Sequence, residues 1–187
     1  GIRTLKKHFH TYGLSLKQIK AVLITHDHAD HIKAVGSLAN EYGLPVYATE
    51  LVHDGIKRNY CANPKLKAEN IHFLEKGQTL KLDRFEITPF DVPHDSTDNV
   101  GYSVQYGEVN FCLITDAGHV TEQFGCYIAR ANYLVLEANH DEDMLMMGPY
   151  TAYLKGRISG DYGHLSNKAA AQLLAEHITD RLRHVWL

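Results

Sequence analysis

Apolar residues recur at helical spacing at the start of the chain. Ile2, Leu5, Phe9 and Tyr12 share one face and Gly13 ends the run, which predicts a helix over residues 2–12. The pattern then shortens: KAVLIT at 20–25 and the triplet at 46–48 are brief apolar runs that predict short strands. Between them, residues 32–43 (IKAVGSLANEYG) are spaced as a helix stopped by Gly43, with Pro45 just beyond. Thr49 has the side chain to cap a further helix running to about Arg58. From Ile71 the texture becomes β-like, as IHFL, TLKL, RFEITPF, GYSVQY and VNFCLIT are broken by glycine, aspartate and proline. Tyr106-Gly107-Glu108 reads as a hairpin turn. Thr121 opens a helix to Ala131, YLVLE follows as a strand, and 141–147 and 150–157 are weaker helical stretches. Ser166 caps the helix SNKAAAQLLAEHI, and HVWL closes the chain as a strand. Helix and strand, a β-rich middle, then strand and helix again predict an α/β fold (an α+β sandwich), with sheets between helical layers.

With 187 residues, 44% of them hydrophobic, the chain suits one compact domain over 1–187. Charged residues make up 22% and the net charge is −3, so no overall basic field draws in a polyanion. Such a substrate would need a local patch. Lys57, Arg58, Lys65, Lys67, Lys155 and Arg157 are candidates, although charges of this kind ordinarily mark solvated faces. Cys61, Cys112 and Cys126 are an odd number without a CxxC pair, which suits a reducing cytoplasm. Cys112 sits in an apolar strand pattern as a small core residue. No apolar stretch approaches the roughly 18 residues of a membrane span, so no membrane partner is expected. Oligomeric state leaves no mark in the sequence.

The number that changes the picture is 13 histidines. His8, His10, His53 and His72 have no partner pattern and read as surface residues. Others fall at strand ends, where loops place chemistry. KAVLITHDHADH ends an apolar strand in a burst of three imidazoles and two carboxylates. His26 and His28, two apart across a tight turn, can converge on one cation, and Asp30 and His31 can reach a second. Later strands deliver His94, Asp116 and Glu137 in turn. Each alone is an ordinary loop residue; together they describe one polar rim.

HxHxDH, then a lone histidine, then a strand-ending aspartate resembles the first four metal motifs of the metallo-β-lactamase superfamily. The resemblance implies that family's αββα four-layer fold and a site for two divalent metal ions, Zn²⁺ or Mn²⁺. By it, His26, His28 and His94 hold one ion, Asp30 and His31 help hold the other, and Asp116 bridges them. Glu137 in LVLEANHD and His164 in GHLSNKAAAQLL resemble the paired glutamate and histidine of the ribonuclease Z branch. EANHD followed by YLKGRISGDYGHLSN is most similar to the YycJ (WalJ) branch of small bacterial enzymes described as DNA exonucleases. Members of the family begin with strands ahead of the first helix and carry a metal-binding histidine after the last strand. The expectation is therefore of a domain lacking its N-terminal strands and its C-terminal end, with that histidine just beyond Leu187. The alternative is that His164 is the last ligand.

The function so implied is a dinuclear phosphodiesterase acting on DNA as a 5′–3′ exonuclease through a metal-bridging hydroxide. Asp30 would orient the hydroxide, and His164, kept protonated by Glu137, would supply the leaving group's proton. Glu137 and His164 also read as a structural pair in the wall of the site. His140 reads equally as a support behind the ligands, a substrate contact or a helix-start residue. Two rival functions share the metal ligands: hydrolysis of a small ester, thioester or lactam, and a catalytically weak metal-binding scaffold. Met144, Met146 and Met147 read as core or lid packing. Tyr150, Tyr153 and Tyr162 read as core-edge packing, with base stacking as the alternative.

Overall fold

The amphipathic helix at the start exists because its apolar stripe has a partner. In the computed structural model, which describes residues 1–187, α1 (Ile2–Thr11) lays Ile2, Leu5 and Phe9 against buried Leu16, Leu38 and Leu44. The chain divides into two compact units, residues 1–75 with 96–98, and residues 76–95 with 99–187.

In the first unit three short strands pair in parallel, in the order β1 (Val22–Leu23), β2 (Val46–Ala48) and β3 (Ile71–Phe73). The register sets Val22 against Val46 and Val46 against Ile71. The run at 20–25 yields only two residues of strand, because Val22 and Ile24 donate to Pro45 and Tyr47 and the chain then turns away. The helix expected over 32–43 is two pieces, α2 (Ala29–Ile32) and α3 (Val35–Tyr42). Ile32, Val35 and Ala39 all reach the core, so the apolar stripe carries through the break. Gly43 ends α3 in the left-handed conformation, φ 64°, that glycine adopts without cost. Thr49 caps α4 (Glu50–Arg58) through its hydroxyl, which accepts from Val52 N at 3.3 Å.

The second unit is a six-stranded sheet in sequence order: β4 (Leu80–Leu82), β5 (Phe85–Asp91), β6 (Val100–Tyr106), β7 (Val109–Ile114), β8 (Tyr133–Leu136) and β9 (His184–Trp186). Pairing is antiparallel from β4 to β7 and parallel from β7 to β9. Tyr106 pairs with Val109, which closes the expected Gly107-Glu108 turn. The parallel steps need crossovers, supplied by α5 (Glu122–Arg130) and by a return containing α6 (Glu142–Met147), α7 (Ala152–Ser159) and α8 (Asn167–His177). Residues of β7 alternate in burial, sending Cys112 and Ile114 into a core with Phe90, Phe124, Ile128, Leu134 and Leu173. Burial pushes the Cys112 thiol up to about 12, so it behaves as a small apolar group. No helix is long and apolar enough to cross a membrane.

Two expectations need correction. Met144, Met146 and Met147 are exposed and so are not core residues, because the six-residue α6 buries only Leu145. His53 is not a surface residue: α4 turns it inward beside Val52 and Ile56, where its Nε2 bonds the His72 carbonyl at 2.9 Å. Burial there holds the His53 pKa below the ordinary 6.5, more strongly than the His72 and Val46 backbone oppose it, while His72 depresses it and Asp54 raises it slightly. Below 6.5 the unfolded chain therefore takes up its proton before the folded chain, and stability falls as pH drops. His53→Gln, which keeps a donor for the His72 carbonyl, is expected to lose melting temperature less steeply between about pH 7 and 5 than wild type. Parallel thermal melts check this, and identical slopes would show that His53 protonates freely in the folded state.

Candidate metal centre

In the first unit, the end of β1 leads through buried Thr25 into the histidine run. His26 is fully buried, and the Thr25 hydroxyl lies 3.0 Å from its Nδ1, so Nε2 is the nitrogen that could take a metal. The His28 and His31 rings stand 4.7 and 4.1 Å from the His26 ring, centroid to centroid. The single turn of α2 brings this about: the His28 carbonyl accepts from His31 and Ile32, and Asp30 and His31 emerge together from the turn. Asp30 Oδ2 lies 3.6 Å from His31 Nε2, and its side chain is 76% exposed.

Asp27, the other carboxylate of the run, serves a different end. It accepts from Thr97 N at 3.0 Å and from the Thr97 hydroxyl at 2.6 Å, and its carbonyl accepts from Asn59. A Cβ at Gly55 would lie 2.1 Å from Asp27 Oδ2, so the glycine in α4 makes room for this latch. The bare pair Asp27 and Gly55 gave no sign of it in the sequence.

In the second unit, His94 follows β5 and is buried. Its Nδ1 is 3.0 Å from the Gly163 carbonyl. A carbonyl only accepts, so Nδ1 carries a proton and Nε2 is the nitrogen that could take a metal. That Nε2 lies 3.6 Å from Asp95 Oδ1 and 4.0 Å from Asp116 Oδ1. Asp116, after β7, has a left-handed backbone (φ 54°), which costs roughly 1–3 kcal/mol outside glycine. Hydrogen bonds at its carbonyl and at the next two residues hold it there. Asn99 Nδ2 donates to the Asp116 carbonyl at 2.9 Å, Ala117 N to Glu137 Oε2 at 2.6 Å, and Gly118 N to the Pro93 carbonyl at 2.7 Å.

Glu137 and His164 are brought together as expected: His164 Nδ1 is 2.6 Å from Glu137 Oε1 and 3.7 Å from Asp116 Oδ1. The bonded carboxylate raises the His164 pKa above that of a free imidazole against the opposing effect of burial, and the charges of Glu137, Asp116 and Asp95 add to the rise. His94, Asp116 and His164 each offer a ligand atom, all within 4.8 Å of one another. Three such nitrogen and oxygen donors suit a divalent cation. His140 gives its carbonyl to Asn167 N, and its buried Nδ1 has no partner. It lines a hollow of about 410 Å³ with His119, Glu142, Ser159 and His164.

Most of the expected basic rim is engaged locally. Lys65 Nζ donates to the carbonyls of Ile56 and Asn59 at the end of α4, Lys67 faces Glu69, and Lys155 donates to the Met146 carbonyl. Arg157 Nε donates to Asp95 Oδ2 at 2.6 Å. Asp95 was not singled out in the sequence, although its place beside His94 was the available signal.

These features define a chain of the β-lactamase superfamily. It belongs to that family, since residues 3–183 match the model described as Beta-lactamase superfamily domain. The chain is 35% identical over 174 residues to the Exodeoxyribonuclease YycJ of Bacillus anthracis, covering 93% of this chain and 65% of that protein. It is 33% identical over 171 residues to the Exodeoxyribonuclease WalJ of Streptococcus pneumoniae serotype 2, covering 91% and 63%. The chain thus spans just under two thirds of these relatives' length. Among solved structures, the metallo-β-lactamase fold protein YhfI from Bacillus subtilis matches with a TM-score of 0.66 at 20% identity, over 94% of this chain and 66% of that one. The fold is therefore the metallo-β-lactamase fold, as the motif implied.

Glu137 gives the sharpest test of how the second unit holds its groups. Its carboxylate, 9% exposed, accepts from Ala117 N, Leu165 N at 3.4 Å, His164 Nδ1 and Asn139 Nδ2. Glu137→Leu removes every acceptor and leaves the buried Ala117 and Leu165 amides without that partner. Loss of about 1–3 kcal/mol is expected, read as a drop of several degrees in melting temperature. An unchanged melt would mean that these bonds do not hold the segment.

Proposed function

We propose that this chain is the metal-binding domain of a DNA phosphodiesterase, acting as a 5′–3′ exonuclease with two divalent ions, most simply Zn²⁺. His26, His28 and His94 would hold one ion, Asp30 and His31 the other, with Asp116 shared. The observation that carries the reading is the orientation of His94: with Nδ1–H given to the Gly163 carbonyl, Nε2 is the nitrogen turned to the carboxylates and available to a metal. When bound, such ions would supply the positive charge that polarises a phosphoryl oxygen and lowers the pKa of water. The exposed Asp30 carboxylate would orient an attacking water. Glu137 holds His164 by Nδ1, and the opposite nitrogen passes a proton to the departing deoxyribose oxygen. The names of the relatives support DNA as the substrate class. The exposed Cys126 thiol supports a reducing, cytoplasmic setting.

A second reading has an observation in its favour. His164 lies in the same group of ligand atoms as His94 and Asp116, which suits a metal ligand. Two variants separate the possibilities. Asp30→Ala is expected to cut hydrolysis of a single-stranded oligodeoxynucleotide about 100-fold or more, with circular dichroism unchanged because the side chain is exposed. Activity within a few-fold of wild type would remove Asp30 from this role. His164→Gln, if it removes a proton donor, keeps its metal content and still cleaves bis(p-nitrophenyl) phosphate, whose leaving group needs no proton. Loss of a metal equivalent would make His164 a ligand instead.

A further inference from the structure

The tyrosines after α6 pack against no core. Tyr153 is 82% exposed and Tyr162 62%, and Tyr150 is exposed as well. Between them α7 buries none of its residues, and its sequence AYLKGRIS holds two cations and no acid. Tyr153 and Arg157, four apart, share one face of the helix. Of the acids just before it, Asp141 caps α6 through Met144 N and Glu142 accepts from the Ser166 hydroxyl, while Asp143 is exposed.

A helix that buries nothing is held by its end. His164 N donates to the Ile158 carbonyl at 2.8 Å. A Cβ at Gly163 would lie 2.2 Å from the carbonyl oxygens of Arg157 and Ile158, an approach only glycine allows. The Gly163 carbonyl in turn meets His94 Nδ1. Arg157 Nε is fixed by Asp95 Oδ2, and the other oxygen of Asp95 lies 3.6 Å from His94 Nε2. The end of α7 is thus tied to the segment that sets His94 and His164, while half of the Arg157 side chain remains exposed, at 52%.

Resting on the phosphodiesterase reading, we propose that this face of α7 is the track for a single-stranded DNA substrate, with Tyr153 stacking on a base and the Asp95-oriented guanidinium of Arg157 meeting the adjoining phosphate. A tyrosine face accepts any base, and a guanidinium pre-aligned by a carboxylate keeps donors for a phosphate. The net charge of −3 makes such local contacts necessary, since no general field gathers the strand.

The test titrates fluorescein-labelled dT15 with this chain by anisotropy in EDTA, and follows hydrolysis of the same oligonucleotide with zinc. Tyr153→Ala is expected to weaken binding about ten-fold or more, and Tyr153→Phe to restore it. Arg157→Gln is expected to lower the salt slope of log Kd by about one, and Arg157→Lys to keep it. If wild type cleaves DNA but Tyr153→Ala and Arg157→Gln bind dT15 as wild type does, the track is overturned and the activity stands. If wild type binds dT15 with these variant effects but cleaves no phosphodiester, the proposed function fails and the binding face stands. Tighter binding of rU15 than of dT15, or no binding of dT15, overturns the DNA assignment.

Discussion

The Glu137 carboxylate, only 9% exposed, sets the conditions for everything around it in the six-stranded unit. A carboxylate taken out of water must be surrounded by donors, and here they come from three separate stretches: Ala117 after β7, His164 and Leu165 before α8, and Asn139 beyond β8. Satisfying one charge therefore fixes the ends of two strands and the approach to a helix. The bond to Ala117 also steadies the left-handed backbone of Asp116, one residue earlier. The same network extends through Gly163, whose carbonyl orients the His94 ring. Ligand orientation in this unit is thus a property of backbone hydrogen bonds more than of the ligands themselves.

The three-stranded unit reaches the same end by other means. There the imidazoles gather because a single helical turn starts on the His28 carbonyl, and Thr25 orients the most buried ring. Asp27 latches the turn to Thr97, with Gly55 giving it space. Each unit commits one carboxylate to architecture, Asp27 in one and Glu137 in the other, and leaves another, Asp30 or Asp116, beside the histidines.

What the sequence revealed follows from how local each feature is. Caps and turns rest on one side chain or one φ, so Thr49, Ser166 and Gly43 could be read directly. The six-residue histidine motif is local too, and it carried both the family and the fold. Asp27 and Asp30 look alike in that motif, and only the distant Thr97 separates their roles. His53 looked like a surface residue because its partner is a backbone carbonyl on another strand, which leaves no side-chain pattern. The methionines of α6 misled for the opposite reason: an apolar run implies burial, but a helix of six residues has one inward position, and Leu145 holds it. The tyrosines near α7 were ambiguous because stacking on a core edge and stacking on a ligand use the same residues; their exposure speaks against the first.

The histidines and aspartates, and not the cysteines, are the proposed metal ligands. X-ray absorption at the zinc edge of the zinc-loaded chain tests this directly. The expected spectrum has a first shell of nitrogen and oxygen at about 2.0–2.1 Å with imidazole scattering behind it and no sulfur. A sulfur shell at about 2.3 Å, pointing to Cys61 or Cys126, or a spectrum of hydrated zinc alone, would contradict it.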